Sequence, residues 1–530
     1  MFDAVVVGAG FSGLYLIKRL RDAGFSVCAV EAAPGVGGTW YWNAYPGARC
    51  DVESFDYCYS FSRDLEEEWD WSERYPSQGE LLRYLNHVAD RFDLRRDIRF
   101  DSRVTAAAFD AARCCWTVSL DDGERIEGRF FILAGGAISV PKPPEIDGIE
   151  SFQGACYHTG SFPQEGVDFA GKRVAVIGTG SSGVQTSTAI VDAVAALTVF
   201  QRTPNYTAPM INHALDAAAM AAFRQTSAAR HEKSRHSRQG IPYDQPTRSA
   251  LAVSAEERAE TFRNAWENSH LFALRLTYSD VLTDEAANET VSEFVRGKIR
   301  EIVRDPVVAE QLTPRGYPFA TKRPCLGHGY YEMFNRDHVR LVDLRETPIV
   351  RMTPAGIETS AGEVAFDAVV FATGFDALTG AAARIDITGR DGVTLREKWA
   401  GGPETYLGIA SAGFPNLFLV TGPGSPGPLS AMVKSIEQHV DWIAECLIYL
   451  RAHGFAVIEA DPAHERDWGE HVQTVAAGTL YPRANSWYLG ANVPGKPRKF
   501  MPYLGGVGVY RAKCDEVAKA GYTGFRTGKS

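Results

Sequence analysis

The stretch that decides the fold runs from Val174 to Gly183 and reads VAVIGTGSSG. Its first four residues are apolar, as in a buried strand, and the glycines Gly178, Gly180 and Gly183 follow in the Gly-x-Gly-x-x-Gly spacing. In that motif the first glycine allows a tight turn, the second lets the backbone approach a pyrophosphate, and the third lets a helix pack on the strand. The stretch therefore predicts a strand, a turn and a helix that bind a dinucleotide.

A second copy of this motif lies at the N-terminus, where Val5–Gly13 reads VVVGAGFSG. Its glycines are Gly8, Gly10 and Gly13. A helical pattern continues over Leu14–Leu20, and a second apolar strand, Ser26–Val30, ends at Glu31. An acidic residue at that distance from the turn is placed to accept hydrogen bonds from a ribose 2′-hydroxyl. The first site is therefore predicted to hold an adenosine with a free 2′-hydroxyl, such as that of FAD.

The two copies differ where the ribose would be read. The chain step that leads from Gly8 to Glu31 leads from Gly178 to Gln201, and Arg202 and Thr203 follow. A carboxylate would repel a 2′-phosphate, whereas a guanidinium can bind one bidentately. The second site is therefore predicted to hold NADPH. The alternative for Arg202, a solvated residue after a strand, stays open at this point.

Composition excludes several classes of protein. The net charge of −10 over 530 residues argues against nucleic-acid binding. No apolar run reaches the roughly 18 residues that a membrane span needs. The nine cysteines include no Cys-x-x-Cys pair, which favours a reducing cytoplasm over a disulfide framework, and no metal site is predicted. The first strand is expected to begin by Asp3, which leaves no room for a cleavable presequence.

These patterns predict an α/β protein with two Rossmann-like dinucleotide-binding domains. The FAD-binding domain is predicted over 1–139 and 376–530, and the NADP-binding domain over 140–203 and 321–375. The segment 204–320 is rich in Ala, Arg and Glu with helical periodicity. It is interpreted as a helical insertion in which no chemistry is expected.

A run of glycines and aromatic residues, Gly37–Asp51, lies between the two turns and reads GGTWYWNAYPGARCD. Glycines would let the backbone approach a flat ring, and the aromatic side chains could wall that ring. Asp51 is the only acidic residue of the run. By spacing alone it is as easily a turn or cap residue as a functional carboxylate.

Three groups of residues resemble the signatures of type I Baeyer–Villiger monooxygenases. They are Phe152, Gly154, His158, Phe162 and Pro163; then Gly38, Trp40, Tyr45, Pro46, Gly47 and Asp51; then Lys322, Arg323, Pro324, Gly329, Tyr330, Tyr331 and Trp487. The resemblance covers nearly the whole chain and is nearest to the phenylacetone and steroid monooxygenase branch. Two positions depart from the pattern: Phe162 replaces a usual Trp, and Ala137 stands where the phenylacetone branch carries a glutamine.

The resemblance implies which residues contact the cofactors. For FAD they are Gly8, Gly10, Ser12, Gly13, Glu31, Thr39, Trp40, Trp42, Asp51, Tyr57, Val104 and Met432. For NADP they are Thr179, Gly180, Ser181, Ser182, Gly183, Gln185, Arg202, Thr203, Lys322 and Trp487, with Arg323 among the cofactor-binding residues. His158 is interpreted as shaping the linker between domains and not as a proton carrier.

The resemblance also implies the reaction. NADPH would reduce FAD, and O2 would form a C4a-peroxyflavin that is stabilised by NADP and by Arg323, which Asp51 would orient. The peroxide would convert a ketone to an ester or lactone, with sulfides as further substrates. The alternative is an N- or S-oxygenating flavin-containing monooxygenase. A disulfide reductase is disfavoured because no cysteine pair is present, and a non-catalytic dinucleotide sensor would not need Asp51 and Arg323.

Overall fold

A computed structural model of the protein describes residues 1–529, and two separate sheets hold the two glycine turns. The strands are β1 (Phe2–Val7), β2 (Val27–Val30), β3 (Ile98–Arg99), β4 (Val104–Asp110), β5 (Cys115–Leu120), β6 (Arg125–Leu133), β7 (Ala155–His158), β8 (Arg173–Ile177), β9 (Ala196–Gln201), β10 (Thr207–Pro209), β11 (Cys325–Gly327), β12 (Val339–Asp343), β13 (Ile349–Met352), β14 (Gly356–Thr359), β15 (Gly362–Ala365), β16 (Ala368–Phe371), β17 (Asp386–Thr388), β18 (Leu417–Leu419), β19 (Val457–Ala460) and β20 (Phe525–Gly528).

The helices cover the faces of these sheets and fill the segment between them. They are α1 (Phe11–Asp22), α2 (Thr39–Trp42), α3 (Arg63–Glu68), α4 (Gln78–Arg91), α5 (Ser181–Ile190), α6 (Ala217–His236), α7 (Ala255–Glu267), α8 (Glu285–Ile302), α9 (Pro306–Leu312), α10 (Gly380–Ala383), α11 (Leu395–Lys398), α12 (Met432–His453), α13 (Pro462–Ala477) and α14 (Val507–Lys519). Within residues 1–529, no helix has the length and apolar character that crossing a membrane requires.

The first sheet has the order β17-β4-β5-β6-β1-β2-β3, and β18 also pairs with β6. Its strands β6, β1, β2 and β3 are parallel, whereas β4, β5 and β6 form an antiparallel meander. The centres of β1 and β2 are buried, so both strands read as continuous apolar runs instead of alternating ones. The first glycine turn leaves the carboxyl end of β1 and enters α1.

The second sheet is entirely parallel, with the order β12-β9-β8-β16-β7. Its central strand β8 leads through the second glycine turn into α5. Ligands of open parallel sheets bind at the carboxyl ends of the strands, which is where both turns lie. The predicted fold class, two dinucleotide-binding units of Rossmann type, is confirmed.

The two glycine turns have the same backbone geometry at their first glycine. Gly8 and Gly178 have φ values of +102° and +115°, which side chains rarely adopt. The Gly8 amide donates to the Val30 carbonyl over 2.8 Å, and the Gly178 amide donates to the Phe200 carbonyl over 3.0 Å. Glu31 directly follows Val30, and Gln201 directly follows Phe200. Glu31 and Gln201 therefore occupy equivalent positions in the two units, as the sequence spacing predicted.

Helices α6 to α9 fall within the segment that was predicted as a helical insertion. Helix α6 packs against α14 near the C-terminus, and β10 pairs in parallel with β11, which ties the start of the segment to the residues after its end. The segment thus contacts both parts of the chain. The domain boundaries drawn from the sequence stay a prediction.

The third glycine of each turn generates a stability prediction. A Cβ atom on Gly183 would lie 2.0 Å from the Gly178 carbonyl oxygen, so α5 must move if Gly183 becomes Ala. We expect Gly183→Ala to destabilise the protein by about 1–3 kcal/mol, as overpacking does, and to weaken NADPH binding. Thermal unfolding and NADPH titration measure the two effects.

Gly297→Ala is the matched control, because Gly297 lies in the interior of α8 and a Cβ there meets no atom within 4 Å. That change should stabilise the protein by about 0.5–1 kcal/mol. Equal melting temperatures for the two variants would contradict the steric role of Gly183 in the turn.

Candidate active site

The structure joins Asp51 and Arg323, which are 272 residues apart in the chain, in one ion pair. Arg323 donates to both carboxylate oxygens of Asp51, from Nε to Oδ2 and from Nη2 to Oδ1, each over 2.8 Å. Its Nη1 donates to the Pro428 carbonyl oxygen over 2.7 Å. This parallel, two-bond arrangement is the strongest form of the Arg–carboxylate contact. The pair therefore fixes the plane of the guanidinium.

The pair is largely shielded from water, with side-chain exposures of 24% for Arg323 and 17% for Asp51. Burial alone would lower the pKa of Arg323, but the charge and hydrogen bonds of Asp51 outweigh it and raise that pKa. Arg323 thus keeps its charge at every pH at which the protein is folded. It presents a permanent cation to whatever lies on its open side.

A small cavity, partly open to solvent, lies against Arg323. One wall comes from Pro428 and Leu429 of the loop before α12, and a second from Tyr481 and Tyr488. The guanidinium of Arg323 therefore borders a cavity whose lining is mainly apolar.

Sequence reasoning missed the third wall of this cavity. Leu271, Phe272, Arg275 and Ala320 line it, and all four belong to the segment in which no chemistry was expected. No motif marks these residues, because they act through shape and charge. They became visible only when the chain was folded.

The residues predicted to contact FAD cluster around the first turn. Ser12 lies in the first turn of α1, Val104 begins β4, and Thr39, Trp40 and Trp42 form α2. The buried Glu31 carboxylate accepts hydrogen bonds from the amides of Ala9 over 2.7 Å and Ala33 over 2.9 Å. Each oxygen keeps a free lone pair, so Glu31 can still accept from a ribose hydroxyl.

Three observations are compatible with a flat, polar ligand at this site. The buried Nε1 of Trp40 has no hydrogen-bond partner among the described residues, which is unusual for a buried donor. Gly10 and Gly38 approach so closely that a Cβ on Gly10 would lie 3.3 Å from the Gly38 Cα atom. Tyr57 packs edge-on against Trp40, with ring centroids 5.7 Å apart.

Around the second turn, the backbone is open where a pyrophosphate would lie. A Cβ on Gly180 would meet no atom within 4 Å, and α5 begins next to it at Ser181, followed by Ser182 and Gly183. The first amides of such a helix attract anions. The Thr179 hydroxyl donates to the Thr203 carbonyl over 2.9 Å and holds the turn against the end of β9.

Arg202 and Lys322 form a positive pair beside this turn. The pKa of Lys322 is lowered by burial and by the charge of Arg202. Neither residue forms an ion pair with a carboxylate in residues 1–529, and the Lys322 ammonium lies 4.5 Å from the centre of the Tyr317 ring. Two neighbouring cations without a counter-ion favour a doubly charged anion such as a phosphate.

Gln185, which was predicted to contact the cofactor, also forms hydrogen bonds that hold the fold together. Its amide accepts from the Tyr45 hydroxyl over 2.8 Å and donates to the Arg49 carbonyl over 3.0 Å. These bonds attach the loop that carries Asp51 to the helix of the second turn. Gln185 therefore couples the two cofactor regions, and its contact with NADP stays a prediction.

Trp487 and Met432 lie together near the end of the first sheet. Both pack against a small apolar cluster that includes Ala137 and Met501. The small Ala137 side chain, which departs from the phenylacetone branch, leaves this cluster purely apolar. Trp487 also packs on Tyr488, with ring centroids 4.3 Å apart, and so lies behind the wall of the cavity.

His158 is fully engaged by the fold, as interpreted from the sequence. Its Nδ1 accepts from the Gly160 amide over 2.9 Å, so Nε2 carries the proton and faces the Lys142 carbonyl oxygen at 3.1 Å. Burial lowers the pKa of His158. The same fingerprint reaches the first cofactor region, because the Phe162 amide donates to the Trp42 carbonyl over 3.2 Å.

Two dinucleotide turns together with a largely shielded Asp–Arg ion pair indicate a flavoprotein oxidoreductase that uses a nicotinamide cofactor. Comparison with known proteins agrees: the family described as pyridine nucleotide-disulphide oxidoreductase matches residues 2–235. All nine cysteines are free in the structure.

Full-length relatives define the family more narrowly. A Baeyer–Villiger monooxygenase of Pseudooceanicola batsensis is 41% identical over 98% of this chain and 95% of its own. The phenazine N-monooxygenase PhzNO1 of Lysobacter antibioticus is 41% identical over 99% of this chain and 96% of its own. An oxidised steroid monooxygenase solved with bound NADP superposes with a TM-score of 0.96 and 51% identity, and each chain is covered completely.

The chain therefore belongs to the Baeyer–Villiger monooxygenase family of FAD- and NADP-dependent flavoproteins. The predicted family, enzyme class and cofactors are confirmed, and the likeness to a steroid monooxygenase agrees with the predicted branch. The roles of individual site residues rest on the geometry above and stay predictions.

The positive pair generates a prediction about cofactor choice. A charge-assisted contact to the 2′-phosphate is worth roughly 1.5–3 kcal/mol, so Arg202→Ala should lower the preference for NADPH over NADH about ten- to a hundredfold. The loss should appear in KM and not in kcat, because the phosphate is remote from the reacting atoms. Steady-state kinetics with both cofactors measures it.

Arg340→Ala is the control, since Arg340 is an exposed arginine of the same sheet with no ion pair among the described residues. It should leave the ratio of kcat/KM values unchanged. A full NADPH preference in Arg202→Ala would show that Arg202 does not read the phosphate.

Proposed function

We propose that this protein oxidises a ketone to an ester or lactone with NADPH and O2. In the balanced reaction, ketone, O2, NADPH and H⁺ give ester, NADP⁺ and water, and one oxygen atom enters beside the carbonyl carbon. The observation that supports this is the bidentate, largely shielded Asp51–Arg323 pair at the wall of a mainly apolar cavity. The flavin, when bound, supplies the activation of O2 with electrons from NADPH.

Arg323 would act as the fixed cation beside the reacting oxygen. A buried positive charge stabilises an anion far more than the same charge in water does, provided that it is held in place before reaction. Asp51 would supply that fixation, and the hydrogen bond to the Pro428 carbonyl would prevent rotation. Asp51 is thus a positioning residue, and Arg323 is the catalytic one.

The proposal includes the residues that contact the two cofactors, the division into domains and the cellular location. The FAD and NADP contacts inferred from the sequence are compatible with the clusters around the two turns. The proposed domain division remains 1–139 with 376–530, then 140–203 with 321–375, and the insertion 204–320. Nine free thiols support a reducing, cytoplasmic location.

N- or S-oxygenation is a second candidate, and the likeness to a phenazine N-monooxygenase favours keeping it. The two reactions need opposite reactivity at the terminal oxygen. Attack on a ketone requires an anionic oxygen, whereas attack by an amine or sulfide requires a protonated, electrophilic one. A permanent cation beside that oxygen favours the anion, which is why ketone oxidation is preferred.

Product analysis under ¹⁸O2 distinguishes these reactions. The purified protein with FAD and NADPH is given matched sets of linear, cyclic, aromatic and steroid ketones, together with a tertiary amine, a phenazine and a sulfide. We expect ester or lactone with one ¹⁸O atom from at least one ketone set. N-oxide as the sole product would favour the second candidate, and NADPH oxidation with no oxygenated product would contradict both.

Removal of the Arg323 guanidinium tests the proposed mechanism most directly. Arg323→Ala should lower ester formation about 10²–10³-fold, the loss typical of a single preorganised charge-stabilising group. Flavin reduction by NADPH in rapid mixing should continue, because the second turn is intact.

Arg173→Ala is the matched control for loss of an arginine from an ion pair. Arg173 makes the same two-bond contact with Asp367, but on the exposed surface at the far end of β8 from the turn. That variant should keep wild-type ester yield. Normal ester yield from Arg323→Ala would remove Arg323 from the mechanism.

A further inference from the structure

The cavity beside Arg323 has an unbalanced charge. Its lining includes two charged residues, Arg323 and Arg275, and no carboxylate. Asp51 neutralises Arg323, but nothing neutralises Arg275: in the described part of the chain its guanidinium forms neither an ion pair nor a hydrogen bond. The cavity therefore carries a net positive charge that comes from Arg275 and not from the Asp51–Arg323 pair.

Among residues 1–529, the surroundings of Arg275 give its charge no protein partner. The residue is partly buried on the short turn Leu274–Leu276, and its guanidinium carbon lies 5.6 Å from the centre of the Phe272 ring. Phe272 lies over the cavity with Leu271, so the guanidinium faces mainly apolar groups. An arginine that borders a mainly apolar cavity and has no protein partner is free to bind the anionic group of a ligand.

A second arginine, Arg238, adds to the positive charge near Arg275. Part of the Arg238 side chain is exposed, yet desolvation of its guanidinium and the charge of Arg275 together lower the pKa of Arg238. Arg238 donates to the Leu504 carbonyl oxygen over 3.2 Å and forms no ion pair within residues 1–529. Two neighbouring guanidinium groups without a carboxylate raise the local potential for anions.

We infer that Arg275 binds an anionic group of the substrate, so that the preferred substrates are ketones that also carry a carboxylate. This rests on the proposed function, because it places the ketone carbonyl at Arg323 and the carboxylate at Arg275 of the same cavity. The apolar walls contact the carbon skeleton between the two groups. Arg275 is a specificity-determining residue and takes no part in the oxygen transfer.

The alternative is that Arg275 only packs on Phe272 and supports the insertion. A packing role depends on the planar stem and ring contact, which an uncharged side chain of similar length largely keeps. A binding role depends on the charge. The two are therefore separated by variants that change charge at nearly constant shape.

The first experiment measures binding without turnover. The holoenzyme with FAD and NADP⁺ is titrated calorimetrically with 4-butylbenzoate and with 4-butylbenzamide, which have the same skeleton and no ketone. We expect the carboxylate to bind about ten- to a hundredfold more tightly than the amide, the range for a charge-assisted hydrogen bond. Equal affinity of the two compounds for the wild-type holoenzyme would overturn the inference.

Variants assign the preference to one residue. Arg275→Gln should abolish it, and Arg275→Lys should retain part of it. Arg263→Gln is the control, because Arg263 is an exposed residue of α7 in the same insertion and its loss changes the net charge equally. A preference that survives in Arg275→Gln, or that disappears in Arg263→Gln, would contradict a site at Arg275.

The second experiment keeps this inference separate from the proposed function. Turnover of 4-(3-oxobutyl)benzoate and 4-(3-oxobutyl)benzamide is followed by ester formation, with a lower KM expected for the carboxylate in wild type only. Ester from neither ketone would count against ketone oxidation. The calorimetric comparison would still decide whether the cavity selects an anion.

Discussion

The ion pair between Asp51 and Arg323 is the contact on which the arrangement of the active site depends. Each residue belongs to a different part of the chain: Asp51 ends the aromatic loop after the first turn, and Arg323 precedes β11 after the insertion. A guanidinium held by two parallel hydrogen bonds has one orientation. That single constraint fixes the side of the guanidinium that borders the cavity, and it ties the first cofactor region to the second.

Other hydrogen bonds hold the segments around this ion pair together. Gln185 attaches the loop before Asp51 to α5, and the fingerprint residue Phe162 donates its amide to α2. Both are bonds between regions that are far apart in sequence. The cofactor turns, the ion pair and the cavity are therefore parts of one connected unit, in which a displacement of one region also displaces another.

Much of this could be predicted from sequence because the residues involved follow local geometric rules. The spacing of Gly8, Gly10 and Gly13 follows from backbone sterics, and the change from Glu31 to Gln201 follows from charge at an equivalent position. Asp51 was ambiguous, because a carboxylate in a loop is most often a turn residue, and Arg202 was left open as a solvated residue after a strand. For Asp51, the resemblance to a family signature and the contact with Arg323 support the functional interpretation, which stays a prediction.

The remainder could not be predicted because it depends on tertiary contacts without a local signature. Arg275 lies in a segment whose only visible property was helical periodicity, and nothing in the sequence indicates that it faces Arg323 across a cavity. The hydrogen bonds of the Gln185 side chain could not be predicted either, because a single glutamine is part of no sequence motif that indicates its partners. Shape and unpaired charge appear only when separate segments are packed together.

A double-mutant cycle tests most directly whether Asp51 acts through Arg323. Ester formed per NADPH oxidised is measured for Asp51→Asn, Arg323→Lys and the combined variant. If Asp51 serves only to orient the guanidinium, the combined loss should be close to that of Arg323→Lys alone, because the pair acts as one unit. Losses that multiply would show that the two residues act independently, which would contradict the positioning role of Asp51.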